Sequence, residues 1–230
     1  MPATAEAPRE KTFLLARPEA RALEWLARRV PARVLPDHLT LLGIVAAVGI
    51  AIAYVLSNGD SAWLWAASGL LVVHWLGDSL DGTLARVRRI ERPKYGYYLD
   101  HLVDAIATAI IGIGLGLSPF LLLATGMVLV IVYLVLSINT YLETQTLGVF
   151  RLGYGRLGPT EARLGLIAIN TAVALGVPLG FEVAGVGLTG MDVVVLGGVG
   201  IMAIALAVRA LHTLRTLAER EPAGRVRPAA

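Results

Sequence analysis

Residues 38–57 read HLTLLGIVAAVGIAIAYVLS. These 20 residues include no Asp, Glu, Lys or Arg. A helix of about 20 mostly apolar residues crosses the roughly 30 Å of hydrocarbon in a lipid bilayer. The stretch therefore predicts a transmembrane helix, and it indicates that the chain is a helical membrane protein.

Five more apolar stretches follow along the chain. They lie at 62–87, 96–117, 119–142, 162–181 and 191–212, and Pro119 suits the first turn of the fourth span. Of the 230 residues, 56% are hydrophobic, and the mean hydropathy is +0.70. A soluble domain of this length carries more charge and less apolar mass. We expect an all-α polytopic membrane protein with six transmembrane helices.

The N-terminal segment has a different pattern. Apolar residues recur there at helical spacing among charged ones, at Leu23, Leu26, Ala27 and Val30. We expect an amphipathic helix at the membrane interface; the alternative is a helix packed on the protein itself. The chain then divides into an N-terminal segment (1–34), a six-helix transmembrane domain (35–215) and a disordered tail (216–230). The first 30 residues lack the apolar core of a cleavable signal peptide.

The basic residues predict the orientation in the membrane. None of the 20 Lys and Arg lies in the loops at 57–61, 117–119 or 182–191, so all fall on the other side of a six-span path. The positive-inside rule then places both termini in the cytoplasm. The net charge is only +3, and we expect no nucleic-acid partner. The absence of cysteine excludes disulfides and thiolate metal sites.

Four aspartates lie where the second and third spans meet the cytoplasm. Asp78 and Asp81 are three residues apart, and Asp100 and Asp104 are four apart, so each pair shares a helix face. The short loop between the spans predicts that the two helices are antiparallel neighbours. The four carboxylates can then converge on one pocket at the cytoplasmic edge of the bilayer.

Such a group of acids needs positive charge. One ionised Asp in a transmembrane segment costs on the order of 2.5–3.5 kcal/mol, and four also repel one another. Divalent cations with oxygen ligands offset this, and two ions bridged by carboxylates are suited to phosphoryl chemistry. Solvated helix ends, structural ion pairs and an ion or proton transporter are the alternatives. The position of the acids near one membrane face and the lack of an internal repeat disfavour transport.

The spacing of these residues resembles the complete signature of the CDP-alcohol phosphotransferase family. The matching pattern is Asp78-x2-Asp81-Gly82-x2-Ala85-Arg86-x9-Gly96-x3-Asp100-x3-Asp104. The resemblance implies that Asp78, Asp81 and Asp100 bind two ions, Mg²⁺ or Mn²⁺, which hold the pyrophosphate of a CDP-linked donor. It implies that Asp104 completes the metal site and acts as general base on the acceptor hydroxyl. The implied nucleotide-binding residues are Asp78, Asp81, Gly82, Ala85, Arg86 and Gly96.

Within the family the resemblance leaves the substrates open. In each case CMP leaves, and donor or acceptor is a lipid. The compact six-span length is similar to that of enzymes that join CDP-diacylglycerol to a polar alcohol. Two segments, Asp100-His101-x2-Asp104 and Gly158-Pro159-Thr160-Glu161, instead resemble choline- and ethanolaminephosphotransferases, which use diacylglycerol as acceptor. We favour the first group.

Two further sets of residues are candidates for binding. Charged residues on the cytoplasmic side, at Glu143, Arg151, Glu161, Arg163 and Arg209, are candidates for the acceptor site; the alternative is charge that only flanks the spans. Gly112 and Gly116 allow close helix approach, either within the chain or at a homodimer seam, and we favour the dimer.

Overall fold

The computed structural model describes residues 15–147, 159–178, 180–183 and 186–221. Within these ranges the chain forms seven α-helices and one antiparallel β-hairpin. The helices are α1 (Ala16–Ala27), α2 (Pro36–Leu56), α3 (Trp63–Arg88), α4 (Pro93–Gly116), α5 (Leu123–Leu147), α6 (Pro159–Ala174) and α7 (Gly190–Arg220). The hairpin strands are β1 (Gly180–Val183) and β2 (Val186–Thr189).

The prediction of a helical, polytopic membrane protein is confirmed. Among the described residues, α2, α4, α5 and α7 are long and apolar enough to cross a bilayer. The predicted second span, α3, has 26 residues but carries two aspartates and two arginines in its last half. The predicted fifth span, α6, has 16 residues, which extend about 24 Å. The count of six spans stays a prediction.

Three predicted boundaries are wrong. The fourth predicted span corresponds to α5, which begins at Leu123, and Pro119 lies in the turn before it. The fifth predicted span corresponds to α6, which ends at Ala174 because Gly176 adopts a left-handed φ of +85° and closes the helix. The sixth predicted span corresponds to α7, which continues to Arg220. Residues 216–220 of the predicted disordered tail are therefore helical. Residues 222–230 lie outside the described ranges.

Helix α2 forms the centre of the bundle because small residues let its neighbours approach closely. It packs on both α3 and α4. A Cβ on Gly77 of α3 would stand 2.6 Å from the backbone nitrogen of Gly43, and one on Gly114 of α4 would clash with Ala51. Backbone-to-backbone packing of this kind replaces the hydrophobic effect as a source of helix association in lipid.

The proposed dimer seam has a role inside the chain. A Cβ on Gly112 would clash with Val130 of α5, and one on Gly116 would lie 3.0 Å from Leu123. Both glycines therefore hold α4 against α5 of the same chain. The assignment of these two glycines to a homodimer interface is corrected accordingly.

Buried polar groups tie the helices together away from the acidic cluster. Asn170 of α6 exchanges hydrogen bonds with the Tyr54 hydroxyl and donates one to Ser68, which joins α6 to α2 and α3. At the same end of the bundle, Asp192 of α7 is fully buried and accepts hydrogen bonds from the backbone of Leu122 and from Thr189. Buried polar groups in membrane proteins need such partners.

The amphipathic helix packs on the protein. Leu23 and Ala27 of α1 are buried, and they form one apolar cluster with Leu39, Leu80 and Leu84 of α2 and α3. The apolar face of α1 is thus covered by α2 and α3. This arrangement corresponds to the alternative considered for the segment, a helix docked on its own protein, and it differs from a helix whose apolar face enters the lipid.

Candidate metal and nucleotide site

The acidic site occupies a gap between α3 and α4. The short loop at 89–92 joins these helices, but each packs mainly on α2, and they make few direct contacts. The expectation that α3 and α4 pack as neighbours is therefore wrong in detail. Their separation leaves room between the two aspartate pairs.

Three of the four aspartates converge. Asp78, Asp100 and Asp104 each present a carboxylate oxygen, and these oxygens all lie within 4.8 Å of one another. All three side chains are partly buried. Asp78 comes from α3 and the other two from α4, so the tertiary fold assembles the group.

Asp81 is held apart from this group. Its Oδ2 accepts a hydrogen bond of 2.6 Å from the Thr40 hydroxyl of α2, and its Oδ1 accepts one of 2.5 Å from the backbone of Gly82. Thr40 is buried, with 7% of its surface exposed. Both oxygens of Asp81 thus have protein donors, and Thr40 orients the carboxylate. Sequence reasoning gave no role to Thr40, although it lies one turn into the first span.

One predicted acceptor residue lies at the cluster. Arg163 of α6 donates a hydrogen bond of 2.6 Å to Asp78, and both side chains are less than 20% exposed. This guanidinium brings one positive charge to three close carboxylates. Because the charges remain unbalanced, and because carboxylate oxygens are preferred ligands of hard divalent cations, the group fits a metal ion.

The other predicted acceptor residues that the structure describes contact groups outside this cluster. Glu143 of α5 is 5% exposed and forms an ion pair of 2.5 Å with Arg209 of α7. It also accepts hydrogen bonds from Asn139 and Thr213. Glu161 accepts one from the backbone of Leu15 before α1. Arg151 lies outside the described residues.

A cavity of about 930 Å³ opens beside the carboxylates. All six predicted nucleotide residues line it: Asp78, Asp81, Gly82, Ala85, Arg86 and Gly96. A Cβ on Gly96 would meet no atom within 4 Å, so this stretch of wall is open. The cavity is also lined by Thr40, by Asp37 and by one face of α1. The contribution of α1 was not predicted, because nothing in its sequence shows which element covers the site.

The loop cations differ in what they contact. Arg88 donates hydrogen bonds to the carbonyls of Val30, Pro31 and Val34, and so fixes the linker between α1 and α2. Arg92 pairs with Asp37 at the cavity wall, and that carboxylate raises the pKa of its guanidinium. Both side chains therefore have partners within the protein.

A cluster of three aromatic rings adjoins the acidic group. The His101 ring contacts Tyr97, at 4.2 Å between centroids, and Tyr141 of α5, at 4.7 Å, and the two tyrosine rings meet edge to face at 6.5 Å. Its Nδ1 is 3.3 Å from the Asp100 carboxylate. This aromatic cluster connects α4 to α5 beside Asp100. The sequence pattern did not predict that Tyr141 would lie there.

Comparison with known proteins gives consistent results. The sequence model of the family described as CDP-alcohol phosphatidyltransferase matches residues 33–208. A curated relative, a CDP-diacylglycerol–serine O-phosphatidyltransferase of Encephalitozoon cuniculi (strain GB-M1), is 35% identical over 122 residues. That match covers 48% of this chain and 31% of the relative, so the similarity spans about a third of the relative's length.

Two solved structures share the fold. Both are of the phosphatidylinositol phosphate synthase of Mycobacterium tuberculosis, one with CDP-DAG bound and one in complex with manganese and citrate. The first has a TM-score of 0.56 and covers 91% of this chain and 100% of that one; the second has 0.52, with 92% of each. At 22% identity, the likeness establishes the polytopic fold.

Proposed function

The chain belongs to the CDP-alcohol phosphatidyltransferase family of membrane enzymes, and we propose that it transfers a phosphatidyl group from CDP-diacylglycerol to an alcohol and releases CMP. The observation that carries this proposal is the group formed by Asp78, Asp100 and Asp104, of which Asp78 and Asp100 line a cavity that is also lined by all the predicted nucleotide residues. The choice of donor is supported by the serine phosphatidyltransferase relative and by the CDP-DAG bound to the M. tuberculosis protein.

The three carboxylates are suited to hold divalent metal, Mg²⁺ or Mn²⁺, with Asp81 as the fourth acid of a two-ion site. When bound, the metal supplies positive charge to the pyrophosphate of the donor. Manganese is present in one structure of the M. tuberculosis protein, which supports this cofactor class. Arg163 adds a charge that is fixed to the protein.

The reaction needs one proton acceptor. The acceptor oxygen forms a bond to the phosphorus that carries the diacylglycerol, and the bond from that phosphorus to the oxygen of CMP breaks. The hydroxyl proton passes to a carboxylate, a role we assign to Asp104. Gly82, Ala85 and Gly96 leave space for the cytidine, and Arg86 lies on the same wall.

The position in the cell follows from charge. We propose six spans, with both termini and the acidic site on the cytoplasmic side, because the sequence has no Lys or Arg in the loops predicted on the other side, at 57–61, 117–119 and 182–191. A homodimer remains part of the proposal, through a surface other than the Gly112 and Gly116 seam. Transport is not adopted, since the chain belongs to a family of enzymes.

A donor and acceptor panel tests the proposal. Purified protein with Mg²⁺ or Mn²⁺ should release CMP from CDP-diacylglycerol with serine, inositol phosphate or glycerol phosphate, and a chelator should abolish the activity. Release only from CDP-choline or CDP-ethanolamine with diacylglycerol would favour the second group of enzymes. No release in any combination would count against both.

A matched pair of variants tests the general base. Asp104→Asn should abolish turnover and keep donor binding, whereas Asp192→Asn changes a buried carboxylate at the far end of the bundle and should keep turnover per folded molecule. Turnover by Asp104→Asn at the wild-type rate would remove Asp104 from this role.

A further inference from the structure

Helix α1 forms part of the cavity beside the aspartates. Its residues Ala16, Glu19, Ala20, Leu23 and Glu24 line this cavity, and so does Arg28, which directly follows the helix. The other walls come from the starts of α2 and α4 and from the C-terminal half of α3. A substrate that fills the cavity would therefore touch α1.

Glu19 connects α1 to two other helices through one oxygen atom. Its Oε1 accepts a hydrogen bond of 2.8 Å from the indole nitrogen of Trp75 in α3. The same oxygen accepts one of 2.7 Å from the hydroxyl of Thr160 in α6. Hydrogen bonds to a charged acceptor are among the stronger ones in proteins. Glu19 thus holds α1, α3 and α6 at a single point.

Each donor to Glu19 lies one helical turn along its own helix from a residue of the Arg163–Asp78 ion pair. Trp75 and Asp78 are three residues apart on α3, and Thr160 and Arg163 are three apart on α6. Residues at this spacing share a helix face. Helices α3 and α6 are antiparallel, since Asp78 bonds Arg163 and Ser68 bonds Asn170. Trp75 and Thr160 therefore lie on opposite sides of the Arg163–Asp78 bond along the helix axes, and Glu19 joins them.

Two more contacts dock α1 at this place. The backbone nitrogen of Leu15 donates a hydrogen bond of 2.9 Å to Glu161, next to Thr160. Leu23 and Ala27, one and two turns after Glu19 on the same face of α1, are buried against α2 and α3, at 6% and 3% exposure. By contrast Trp25 is 55% exposed and points away from the cavity wall.

We propose that α1 is a wall of the substrate site and that Glu19 is a positioning residue, which fixes this wall and holds the first turn of α6 against α3. The inference rests on the proposed function for its kinetic consequence. Without the Glu19 oxygen, the Trp75 N–H and the Thr160 hydroxyl lose their shared acceptor. Helix α1 then separates from the bundle more often, and the cavity loses one side.

The kinetic test compares three variants. Glu19→Ala should raise the KM for CDP-diacylglycerol about tenfold, the equivalent of one strong hydrogen bond, with a smaller effect on kcat. Glu19→Gln keeps an acceptor oxygen at the same place and should restore most of the affinity. Trp25→Ala, on the exposed face of the same helix, should leave KM unchanged. An equal effect of Trp25→Ala and Glu19→Ala, or no effect of Glu19→Ala, would overturn the inference.

A second measurement does not depend on activity. The chain has no cysteine, and Ala27 is buried, so Ala27→Cys reports on the docking of α1 through its rate of maleimide labelling. Adding Glu19→Ala should raise that rate about tenfold, in line with the loss of one strong hydrogen bond, whereas Glu19→Gln should not. An unchanged rate would overturn the role of Glu19. If the wild type released no CMP, the proposed function would fail while this test of α1 docking still stood.

Discussion

Substitution of Gly77 by alanine should separate α2 from α3 at the position of the acidic site. A Cβ at Gly77 would stand 2.6 Å from the backbone nitrogen of Gly43 and 2.7 Å from the carbonyl oxygen of Leu39. Both are backbone atoms of α2, so no side chain can rotate away to make room. The next residue on α3 is Asp78, a member of the three-carboxylate group.

The size of the effect follows from these distances. An ordinary van der Waals contact begins at 3.4 Å, so the two helices must move apart locally by about 0.8 Å. Overpacking of this kind typically costs about 1–3 kcal/mol of stability. A displacement of about 1 Å in a catalytic group can lower activity roughly 10²-fold. We therefore expect Gly77→Ala to lose both stability and most of its turnover.

The assay uses a neighbouring glycine as its control. A Cβ on Gly43, across the same contact, would lie 3.6 Å from the backbone nitrogen of Asp78, an ordinary contact distance. Thermal unfolding in detergent and CMP release should show Gly77→Ala impaired and Gly43→Ala close to wild type. Wild-type stability and turnover in Gly77→Ala, or equal damage in both variants, would refute this account of the α2–α3 contact.

Three further predictions concern buried polar contacts. Asp192→Asn places an amide donor where a carboxylate accepts hydrogen bonds from neighbouring N–H groups; it should lose about 1–3 kcal/mol in thermal unfolding, and an unchanged unfolding temperature would contradict the assigned contacts. Thr40→Val removes the hydroxyl that orients Asp81 and should lower CMP release and raise the metal concentration for half-maximal activity, with Thr40→Ser near wild type; equal behaviour of the two variants would argue against the hydrogen bond. Glu143→Ala removes the buried carboxylate that pairs with the partly buried Arg209, and it should destabilise the protein by about 3–5 kcal/mol; a loss under 1 kcal/mol in denaturant titration would exclude a strong ion pair.

The membrane class and the acidic signature could be predicted because both are local in the sequence. An apolar run of 20 residues determines a span through its length alone, and the helix starts of α2 and α3 lie within two residues of those expected. The i, i+3 and i, i+4 spacings put the aspartates of each pair on one helix face. Errors arose where a turn decided the boundary, as at Gly176 and Pro119.

The distances between the aspartates depend on the tertiary structure. The sequence predicted that four carboxylates lie at one end of two helices. Only the folded chain separated Asp81, which Thr40 holds, from the three others, because the hydroxyl donor comes from α2, 41 residues away in sequence.

The same reason explains the acceptor residues and α1. Arg163 contacts Asp78 across 85 residues of sequence, and Glu143 meets Arg209 where α5 packs on α7. Composition and periodicity describe a residue's own helix and say nothing about the helix that it will face. That is why the sequence identified the family signature and the membrane fold, while the tertiary structure decided which charges meet and which helix closes the cavity.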